Sequence, residues 1–528
     1  MLRAALIMDG TVVTQWQKHA LDAAGDLLEI KLILSCTNTR EKKNLTKNFL
    51  YYLLNILALR NRLTRKVQLD RKGVPLIEFE SIYEGSWQKI PSSVSKEIVD
   101  LNIDVVIKFG MSLLRIDEAL SKTKILSFHH GDPSCFRGRP AGFYEILTRA
   151  NSVGIIVQEL SNKLDAGKIW AICHSKIFHH SYKKTAINFY ANSQFLLRKA
   201  LLNLSRNNPV DIALNGKNYK LPGNFLVVKF FTVVFTRKLK RLLYGAFYEK
   251  EWNVGTVGKI KIQDRLSLNL FDIKSANISA SYSFYADPFF SVDGSKIRLE
   301  ALNLRNGLGE IVELDAEKLT LLNVLLKGDH YSYPFSFLSD NKEFLIPEVA
   351  SNSSPYILLA PFQDEGKLPL KGLEKFRIVD STILEEEGRI YLFCGLNSST
   401  SDCLYLFTAE GYDKEFEAHP LNPIVIDPSR ARMGGRVIRH NRRLYRFGQN
   451  NSYGYGDGIS ICEITKLSRN DYEEKIVGSL CFNDASGPHT VDVFEDKSVL
   501  DFYVDKFSLF AWYRRIVPYI LRSVKSKL

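Results

Sequence analysis

The side chains best suited to acid–base chemistry lie in and after residues 125–169. Ser127, His129 and His130 follow a short apolar run, and Asp165 follows a second apolar run 36 residues after His129. An imidazole beside a carboxylate can act as a general base, because the carboxylate orients the ring and supports its positive charge. Such a pair could remove a proton from an attacking amine or hydroxyl. The alternative is that His129 is a structural hydrogen-bonding residue and Asp165 a turn residue.

The pattern around these residues predicts an α/β domain over residues 1–205. Apolar runs of strand length alternate with longer helical patterns. The predicted strands lie near residues 4–8, 30–34, 105–109, 125–128 and 154–158, and the predicted helices near 13–27, 45–63 and 143–150. This alternation is typical of a parallel sheet with helical crossovers, whose sites gather at the carboxyl ends of the strands. The loop after residue 128 is at such an end.

Length and charge divide the chain into two unlike halves. A chain of 528 residues exceeds one usual hydrophobic core, so two domains are expected. Residues 1–250 contain 38 Lys and Arg against 20 Asp and Glu, whereas residues 251–528 contain 33 against 38. The basic half suits an anionic partner such as a nucleotide-linked sugar, an acidic membrane surface or a nucleic acid, or the charge only keeps the protein soluble. The seven scattered cysteines indicate neither a disulfide framework nor a structural zinc site.

Two basic, amphipathic segments flank the second half of the chain. One lies within a predicted linker at residues 206–250, and the other forms a predicted C-terminal tail at residues 506–528. Such segments lie on anionic lipid or pack on their own protein. No signal peptide or apolar run of membrane-spanning length is recognised. We expect a cytoplasmic protein, with peripheral contact at the inner membrane face as an alternative.

The second half contains an internal repeat. Five hairpin-like units of about fifty residues each follow one another, with turns of Asp, Asn, Glu and Gly between β-rich runs. A radial array of such units hides the sheet edges that each would expose alone. The repeat therefore predicts an all-β five-bladed propeller over residues 251–505.

The first half resembles the folate-dependent formyltransferases, the family that includes methionyl-tRNA formyltransferase and the sugar N-formyltransferases. The residues that carry this resemblance are Ser127-Phe128-His129, Pro133, Arg137-Gly138, Gly154-Ile155-Ile156 and Asp165-Ala166-Gly167. The resemblance implies a Rossmann-like formyltransferase domain that uses 10-formyltetrahydrofolate and requires no metal. By the family's mechanism, His129 helps to remove the proton of an attacking amine and to stabilise the oxyanion, and Asp165 fixes and charge-supports the imidazole.

The resemblance also implies a donor site and one departure from it. The residues placed near the cofactor are Phe109, Gly110, Met111, Leu113, Gly138 and Gly154. Where the family has an Asn that donates to the formyl oxygen, this chain has Ser127, whose hydroxyl carries one hydrogen where the amide has two. Either Ser127, His130 or a water supplies the missing hydrogen bond, or the domain is slow, altered in donor or inactive.

The second half resembles the five-bladed β-fructosidase and arabinanase superfamily, and more closely the propeller domain of the plant glucosamine inositolphosphorylceramide transferases. The residues concerned are Tyr285 to Pro288, His330 to Pro334, Asp380-Ser381-Thr382, Arg432 to Arg436, and His489-Thr490. The resemblance implies that Asp287, Glu348 and Asp380 line a sugar-binding funnel. The alternative is that the Asp-Pro and Asp-Ser pairs are turns at the start of blades.

Together the two resemblances imply an enzyme that transfers a formyl group to the amine of an aminosugar in surface glycan biosynthesis. The sugar would be linked to a nucleotide or a lipid, and no nucleic acid is expected as partner because the repeat replaces the tRNA-binding domain. Two alternatives remain open. The first is an inactive transferase fold that acts as a glycan-binding or assembly protein, and the second is a glycosidase or glycosyltransferase that acts through the propeller.

Overall fold

The computed structural model describes residues 1–38, 44–70, 73–162, 167–262, 264–351 and 354–514. The chain divides into two compact units, Met1–Lys238 and Leu239–Leu528. The first unit extends past the predicted boundary at residue 205. It does so because Phe230 is buried and stacks on Phe143, with ring centroids 4.3 Å apart.

The first unit alternates strands and helices. Its strands are β1 Leu2–Asp9, β2 Val12–Thr14, β3 Leu28–Cys36, β4 Lys66–Gln68, β5 Leu76–Phe79, β6 Ile82–Glu84, β7 Trp87–Lys89, β8 Val105–Lys108, β9 Leu113–Arg115, β10 Lys124–His130, β11 Phe136–Gly138, β12 Ser152–Glu159, β13 Ile169–Lys176 and β14 Lys217–Tyr219. Its helices are α1 Gln15–Ala23, α2 Leu45–Ala58, α3 Ser92–Asp100, α4 Phe143–Thr148, α5 Tyr182–Ser193, α6 Leu196–Ser205 and α7 Asn224–Phe247, the last of which continues across the division between the units.

A seven-stranded sheet in the order β13-β12-β10-β8-β1-β3-β5 forms the centre of the first unit. The five strands from β10 to β5 are parallel, as the alternation predicts. β12 differs from the prediction because it runs antiparallel to both β10 and β13. The connection after β10 brings the chain back to the same end of the sheet, where His130 pairs with Ile155.

The central strands of this sheet are buried on both faces, so they contain continuous apolar runs and do not alternate with polar residues. On one face, Val94 and Ile98 of α3 pack with Ile7 and Val106 of β1 and β8. The strands near the candidate site are therefore held by a packed core. No described helix in either unit is both long enough and apolar enough to cross a bilayer.

The second unit is mostly β-sheet. Its strands are β15 Tyr248–Gly258, β16 Arg265–Leu268, β17 Lys274–Ser275, β18 Tyr282–Phe290, β19 Lys296–Asn303, β20 Gly309–Asp315, β21 Leu321–Leu326, β22 Tyr331–Ser339, β23 Lys342–Val349, β24 Tyr356–Leu359, β25 Lys367–Pro369, β26 Ile378–Glu386, β27 Arg389–Leu396, β28 Cys403–Ala409, β29 Glu417–Ala418, β30 Val425–Ile426, β31 Arg432–Met433, β32 Ile438–His440, β33 Arg443–Gln449, β34 Ile459–Leu467, β35 Tyr472–Phe482, β36 Val491–Phe494 and β37 Lys497–Phe507. Short 3-10 helices lie at Leu270–Asp272 and Asp364–Gly366.

These strands form five sheets. Three are consecutive in sequence, namely β18 to β21, β22 to β25, and β26 to β29 with β30. The fourth contains β31 to β35 and the fifth contains β36 and β37. The strands at the start of the unit complete these last two sheets, because β16 pairs with β35 and β15 pairs with β37.

Each of the five predicted repeats corresponds to the first hairpin of one sheet. The turns of these hairpins contain residues with positive φ, including Gly294 at 70°, Asn341 at 58° and Gly388 at 73°. Gly and Asn adopt this left-handed region at low cost, which explains why the repeat was visible in the turn residues. Of the predicted C-terminal tail, only residues 506–514 lie within the part of the chain that the structure describes.

Candidate functional site

The carboxyl ends of β8 and β10 bring three polar side chains together. Ser127 and His129 are two residues apart on β10 and therefore point to the same face of the sheet. Lys108, the last residue of β8, is the register partner of Ser127. All three line one cavity.

This cavity has a volume of about 180 Å³. Its lining residues are Trp87, Lys108, Ser112, Leu113, Leu114, Ser127, Phe128, His129, Gln158, Glu159, Leu160, Ser161 and Gly167. Pockets that enclose whole drug-sized ligands measure about 300–1,000 Å³. The described cavity is therefore smaller than a pocket that encloses a whole drug-sized ligand.

Lys108 is the residue of this site that sequence reasoning missed. Its ammonium donates to the carbonyl oxygens of Met111 and Ser112, each at 3.0 Å. Burial lowers the pKa of Lys108 to about 8, against the opposing charge of Asp9. An ammonium has three hydrogens, and the two carbonyls use two of them. The signal was present in the sequence, since Lys108 is a lone cation inside a predicted buried strand.

His129 approaches the backbone of the loop that follows it. A β-carbon at Gly131 would lie 2.9 Å from His129 Nε2, which is too close for any side chain. On the strand itself, His129 pairs with Ile156 of β12. The backbone of His129 is thus fixed by strand pairing, and Gly131 leaves room for the ring.

His130 lies on the opposite face of the sheet from Ser127 and His129. Its Nε2 is 2.9 Å from Ser193 Oγ, and its ring packs against Trp16 and Tyr190. Burial and the neighbouring His129 lower the pKa of His130 to about 3, which keeps it neutral. The predicted role of His130 as an oxyanion donor does not fit this position. The reason is that β10 continues through both histidines, so consecutive side chains alternate in direction.

Four of the residues predicted near the cofactor, Phe109, Gly110, Met111 and Leu113, follow β8 directly. Of these four, only Leu113 lines the cavity formed by the described residues. Phe109 packs against Trp16 and Phe128. Gly110 lies against β1, where a β-carbon would be 2.4 Å from the nitrogen of Asp9. Met111 has a positive φ of 60°, and its N–H donates to Asp9 Oδ1 at 2.7 Å.

The two other predicted cofactor residues are glycines at close backbone contacts. A β-carbon at Gly138 would meet the carbonyl oxygen of Tyr219 at 2.0 Å, and one at Gly154 would meet the β-carbon of Asp132 at 2.6 Å. Both positions pack the loop that follows β10, which explains the need for glycine there.

Asp165 lies outside the described residues. Ser161 and Gly167, which stand on either side of it in the sequence, both line the cavity. The role predicted for Asp165 therefore stays a prediction.

The second unit contains a cluster of interacting acids, of which Asp287, Glu300 and Asp380 are buried and Glu348 is half-buried. Three of them, Asp287, Glu348 and Asp380, are the residues predicted to bind sugar, and Glu300 joins them. Burial and the carboxylates of Asp287 and Glu348 raise the pKa of Glu300 well above its ordinary value. Burial and Asp380 raise the pKa of Glu348 to about 7. With a pKa of about 7, the Glu348 carboxyl group is partly protonated at neutral pH.

His489 lies between two of the buried carboxylates. Its Nε2 is 3.1 Å from Asp287 Oδ1, and its Nδ1 is 2.6 Å from Asp501 Oδ2. Burial alone would lower the pKa of His489, but the carboxylates outweigh it and raise the pKa well above the ordinary value. Although burial raises the pKa of Asp287, His489 and Thr490 hold it below its usual range. The ligand atoms of Asp287, His489 and Asp501 lie within 4.8 Å of one another, and a protonated His489 imidazole pairs with both carboxylates.

Asp380 is the second charged centre of this cluster. It pairs with Arg432, and its N–H donates to Glu348 Oε2 at 3.0 Å. Asp287 and Asp380 both have positive φ, 52° and 48°, a conformation that is strained for a non-glycine residue. Glu300, Arg432 and His489 were not selected as site residues from the sequence, and only the fold brings them to the predicted acids.

A family model identifies the class of protein that the second unit resembles. Residues 271–493 match the family described as "Glucosamine inositolphosphorylceramide transferase 1, N-terminal". Among curated proteins, the chain is 29% identical over 208 residues to "Glucosamine inositolphosphorylceramide transferase 1" of Arabidopsis thaliana, and 29% identical over 220 residues to the protein of that name in Oryza sativa subsp. japonica. These alignments cover 36% of this chain and 27% and 28% of the relatives, so the chain spans about a quarter of their length.

Solved structures similar to the first part of the chain include a transformylase and a deformylase. Glycinamide ribonucleotide transformylase 1 from Symbiobacterium toebii aligns with a TM-score of 0.28 and 14% identity, over 40% of this chain and 92% of that one. A formyltetrahydrofolate deformylase from Pseudomonas putida KT2440 aligns with a TM-score of 0.27 and 14% identity, over 39% of this chain and 66% of that one.

Proposed function

We propose that this protein transfers a formyl group from 10-formyltetrahydrofolate to the amine of an aminosugar linked to a nucleotide or a lipid. The observation that carries the proposal is the cavity in which Ser127, His129 and Lys108 meet at two adjacent strand ends. It combines a general base, His129, with two hydrogen-bond donors, Ser127 and Lys108. Acyl transfer to an amine uses groups of both kinds.

The chemistry assigned to each side chain follows from its position. The donor supplies the formyl carbon, and the sugar amine attacks it. His129 accepts the amine proton as the new C–N bond forms, and it can return that proton to the departing nitrogen of the donor when the old C–N bond breaks. Ser127 and Lys108 donate to the formyl oxygen while it carries negative charge.

Lys108 compensates in this proposal for the single hydrogen that Ser127 offers. Lys108→Met is expected to lower kcat by about 10²- to 10³-fold, the usual effect of removing one oxyanion donor. In the wild type, kcat should fall as the pH rises through about 8, because Lys108 loses its charge there. The measurement is the pH profile of kcat for both proteins, in which Lys108→Met should lack the alkaline decline.

Lys122→Met is the matched control for this experiment, since Lys122 is exposed and lies outside the cavity. It should leave both kcat and the pH profile unchanged. An alkaline decline that persists in Lys108→Met would contradict the role of Lys108 while leaving formyl transfer itself intact.

The test of the overall function mixes the purified protein, 10-formyltetrahydrofolate and a panel of nucleotide- and lipid-linked aminosugars. Mass spectrometry should detect a formyl group on one of them. Transfer to none of the panel, in a preparation that binds the folate donor, would count against an aminosugar acceptor.

The second unit supports a sugar as acceptor. We propose that its five sheets form the blades of a five-bladed propeller. Contacts between the inner strands of different sheets support this closure: the Asp287 N–H donates to Asp501 at 3.1 Å, the Gly435 N–H donates to Tyr333 Oη at 3.0 Å, and Gly435 pairs with Val491. The acid cluster would then lie near the common axis, where propellers bind ligands.

A second candidate function is that the second unit cleaves or transfers a glycosidic bond. The raised pKa of Glu348 and the lowered pKa of Asp287 favour this function. A carboxyl group that is half protonated near pH 7 can act as a general acid beside an ionised carboxylate. If this activity exists, Asp287→Asn should reduce the turnover of aryl glycosides by at least about 10²-fold. Equal turnover in Asp287→Asn and wild type, or none in either, would exclude this candidate.

A further inference from the structure

Two helices of the first unit expose rows of large apolar side chains. The residues are Leu45, Phe49, Leu53, Ile56 and Leu57 on α2, and Phe225, Val228, Phe231 and Phe235 on the part of α7 that belongs to this unit. On each helix the spacing of three or four residues places them in one stripe. Phe225 is 84% exposed and Phe235 is 66% exposed, although buried side chains such as Phe230 fix the opposite side of α7 to the core. Rows of large, exposed apolar side chains indicate an interaction surface.

An asparagine side chain fastens the two helices to each other. Asn224 accepts from the N–H of Leu50 at 3.0 Å and donates to the carbonyl of Thr46 at 2.9 Å. These are the two backbone groups that an unbroken α2 would bond together, and α2 is kinked at Asn48 between them. The Asn48 side chain in turn donates to Pro222. The start of α7 is therefore inserted into the backbone of α2, which fixes the two apolar stripes relative to each other.

The segments that bear these stripes are basic and contain no acid. Residues 44–69 and 212–248 have no Asp or Glu. They contain Lys47, Arg60, Arg62, Arg65, Lys66, Lys217, Lys220, Lys229, Arg237, Lys238, Lys240 and Arg241. All of these cations except Arg237 are exposed, and Arg237 is half-buried and donates to the carbonyl oxygen of Ile146. Apolar side chains bordered by cations complement the acyl chains and phosphates of an anionic lipid surface.

We propose that α2 and α7 dock this protein on the surface of a membrane that contains anionic phospholipids. The apolar rows would enter the boundary between headgroups and acyl chains, and Lys229 and Lys238 would contact lipid phosphates. Docking leaves both helices in the plane of the surface and needs no spanning segment. It is independent of formyl transfer, and it would place the first unit beside substrates that are anchored in the same membrane.

The experiment is flotation of the full chain with phosphatidylcholine vesicles, with and without phosphatidylglycerol. The wild type should float with the anionic vesicles only, and added salt should weaken the association. Phe225→Glu combined with Phe235→Glu should weaken vesicle binding by more than about 10-fold, since two inserted aromatic side chains are lost. Lys229→Glu combined with Lys238→Glu should weaken it by more than about fivefold. Phe271→Glu, at a position 82% exposed in the second unit, is the matched control and should bind as wild type does.

Equal vesicle binding by the wild type and the Phe225 and Phe235 double variant would overturn the proposal. So would a wild type that fails to float with either vesicle type. If the double variant alters sedimentation of the protein without altering flotation, the surface contacts a second copy of the chain and does not contact lipid. Because the altered side chains are exposed, unchanged circular dichroism and thermal melting of each variant will show that folding is intact.

Discussion

His129→Ala is expected to abolish formyl transfer, with a loss of about 10³-fold or more in the single-turnover rate. Loss of a general base typically lowers the rate about 10²- to 10⁴-fold. Donor binding should change little, since Leu113 and the other lining residues of the cavity remain. The measurements are rapid-quench transfer assays and titration of folate binding on the same protein.

A second histidine in the same unit provides the control. His174 lies on β13 near Ser152 and outside the lining of the cavity, so His174→Ala should transfer at the wild-type rate. Ser127→Ala should have a smaller effect than His129→Ala, because Lys108 continues to donate. Undiminished transfer by His129→Ala would remove the base from the mechanism, whereas loss of folate binding would instead assign His129 to the donor site.

His489→Ala is expected to destabilise the second unit by about 3–5 kcal/mol, the cost of removing one partner from a buried ion pair. The variant leaves Asp287 and Asp501 facing each other across the space of the lost imidazole, both buried. Chemical denaturation and thermal melting of the full chain will measure the change. His440→Ala, at a half-buried histidine that packs on Tyr445, is the control and should cost less than about 1.5 kcal/mol.

A triple variant separates the effect of buried charge from the effect of packing. His489→Ala combined with Asp287→Asn and Asp501→Asn removes the unpaired charges, so it should recover part of the lost stability if charge is the cause. No recovery would assign the effect to lost packing against Trp252 and Tyr455.

The stability of the wild-type protein should depend on pH, and the sign follows from the direction in which the pKa of His489 is shifted. Because the pKa of His489 is raised in the folded state, its contribution to stability is complete below the unfolded value, near 6.5. The contribution declines as the pH rises from there through the folded pKa. The melting temperature of the wild type should therefore fall over this range by more than that of His489→Ala.

Local sequence patterns were sufficient to predict much of the architecture. The α/β alternation of the first unit predicted its parallel strands, since apolar runs of strand length and helical periodicity are properties of neighbouring residues. The turn residues of the second half predicted one hairpin for each sheet for the same reason: Asn341 and Gly388 are residues that tolerate the positive φ of tight turns. The direction of β12 was not predictable in this way, because it depends on where the chain returns to the sheet.

The candidate site was predictable only in part. His129 and Ser127 stood out by residue type and spacing, but the separation of His129 from His130 depends on where β10 ends, and the strand continues through both. Lys108 was visible as a cation in an apolar run, yet nothing local indicated that it would face Ser127 from the adjacent strand.

The sequence by itself determined which segments form strands, helices and turns, and which short stretches hold polar groups at strand ends. The tertiary structure alone decided which of those groups meet. Asp287 and Asp501 are 214 residues apart and come from different sheets, yet one hydrogen bond and a shared imidazole join them. The pKa values of Asp287 and His489 depend on that meeting, because burial and a facing charge shift a pKa whereas neighbours in sequence do so only when the fold brings them close.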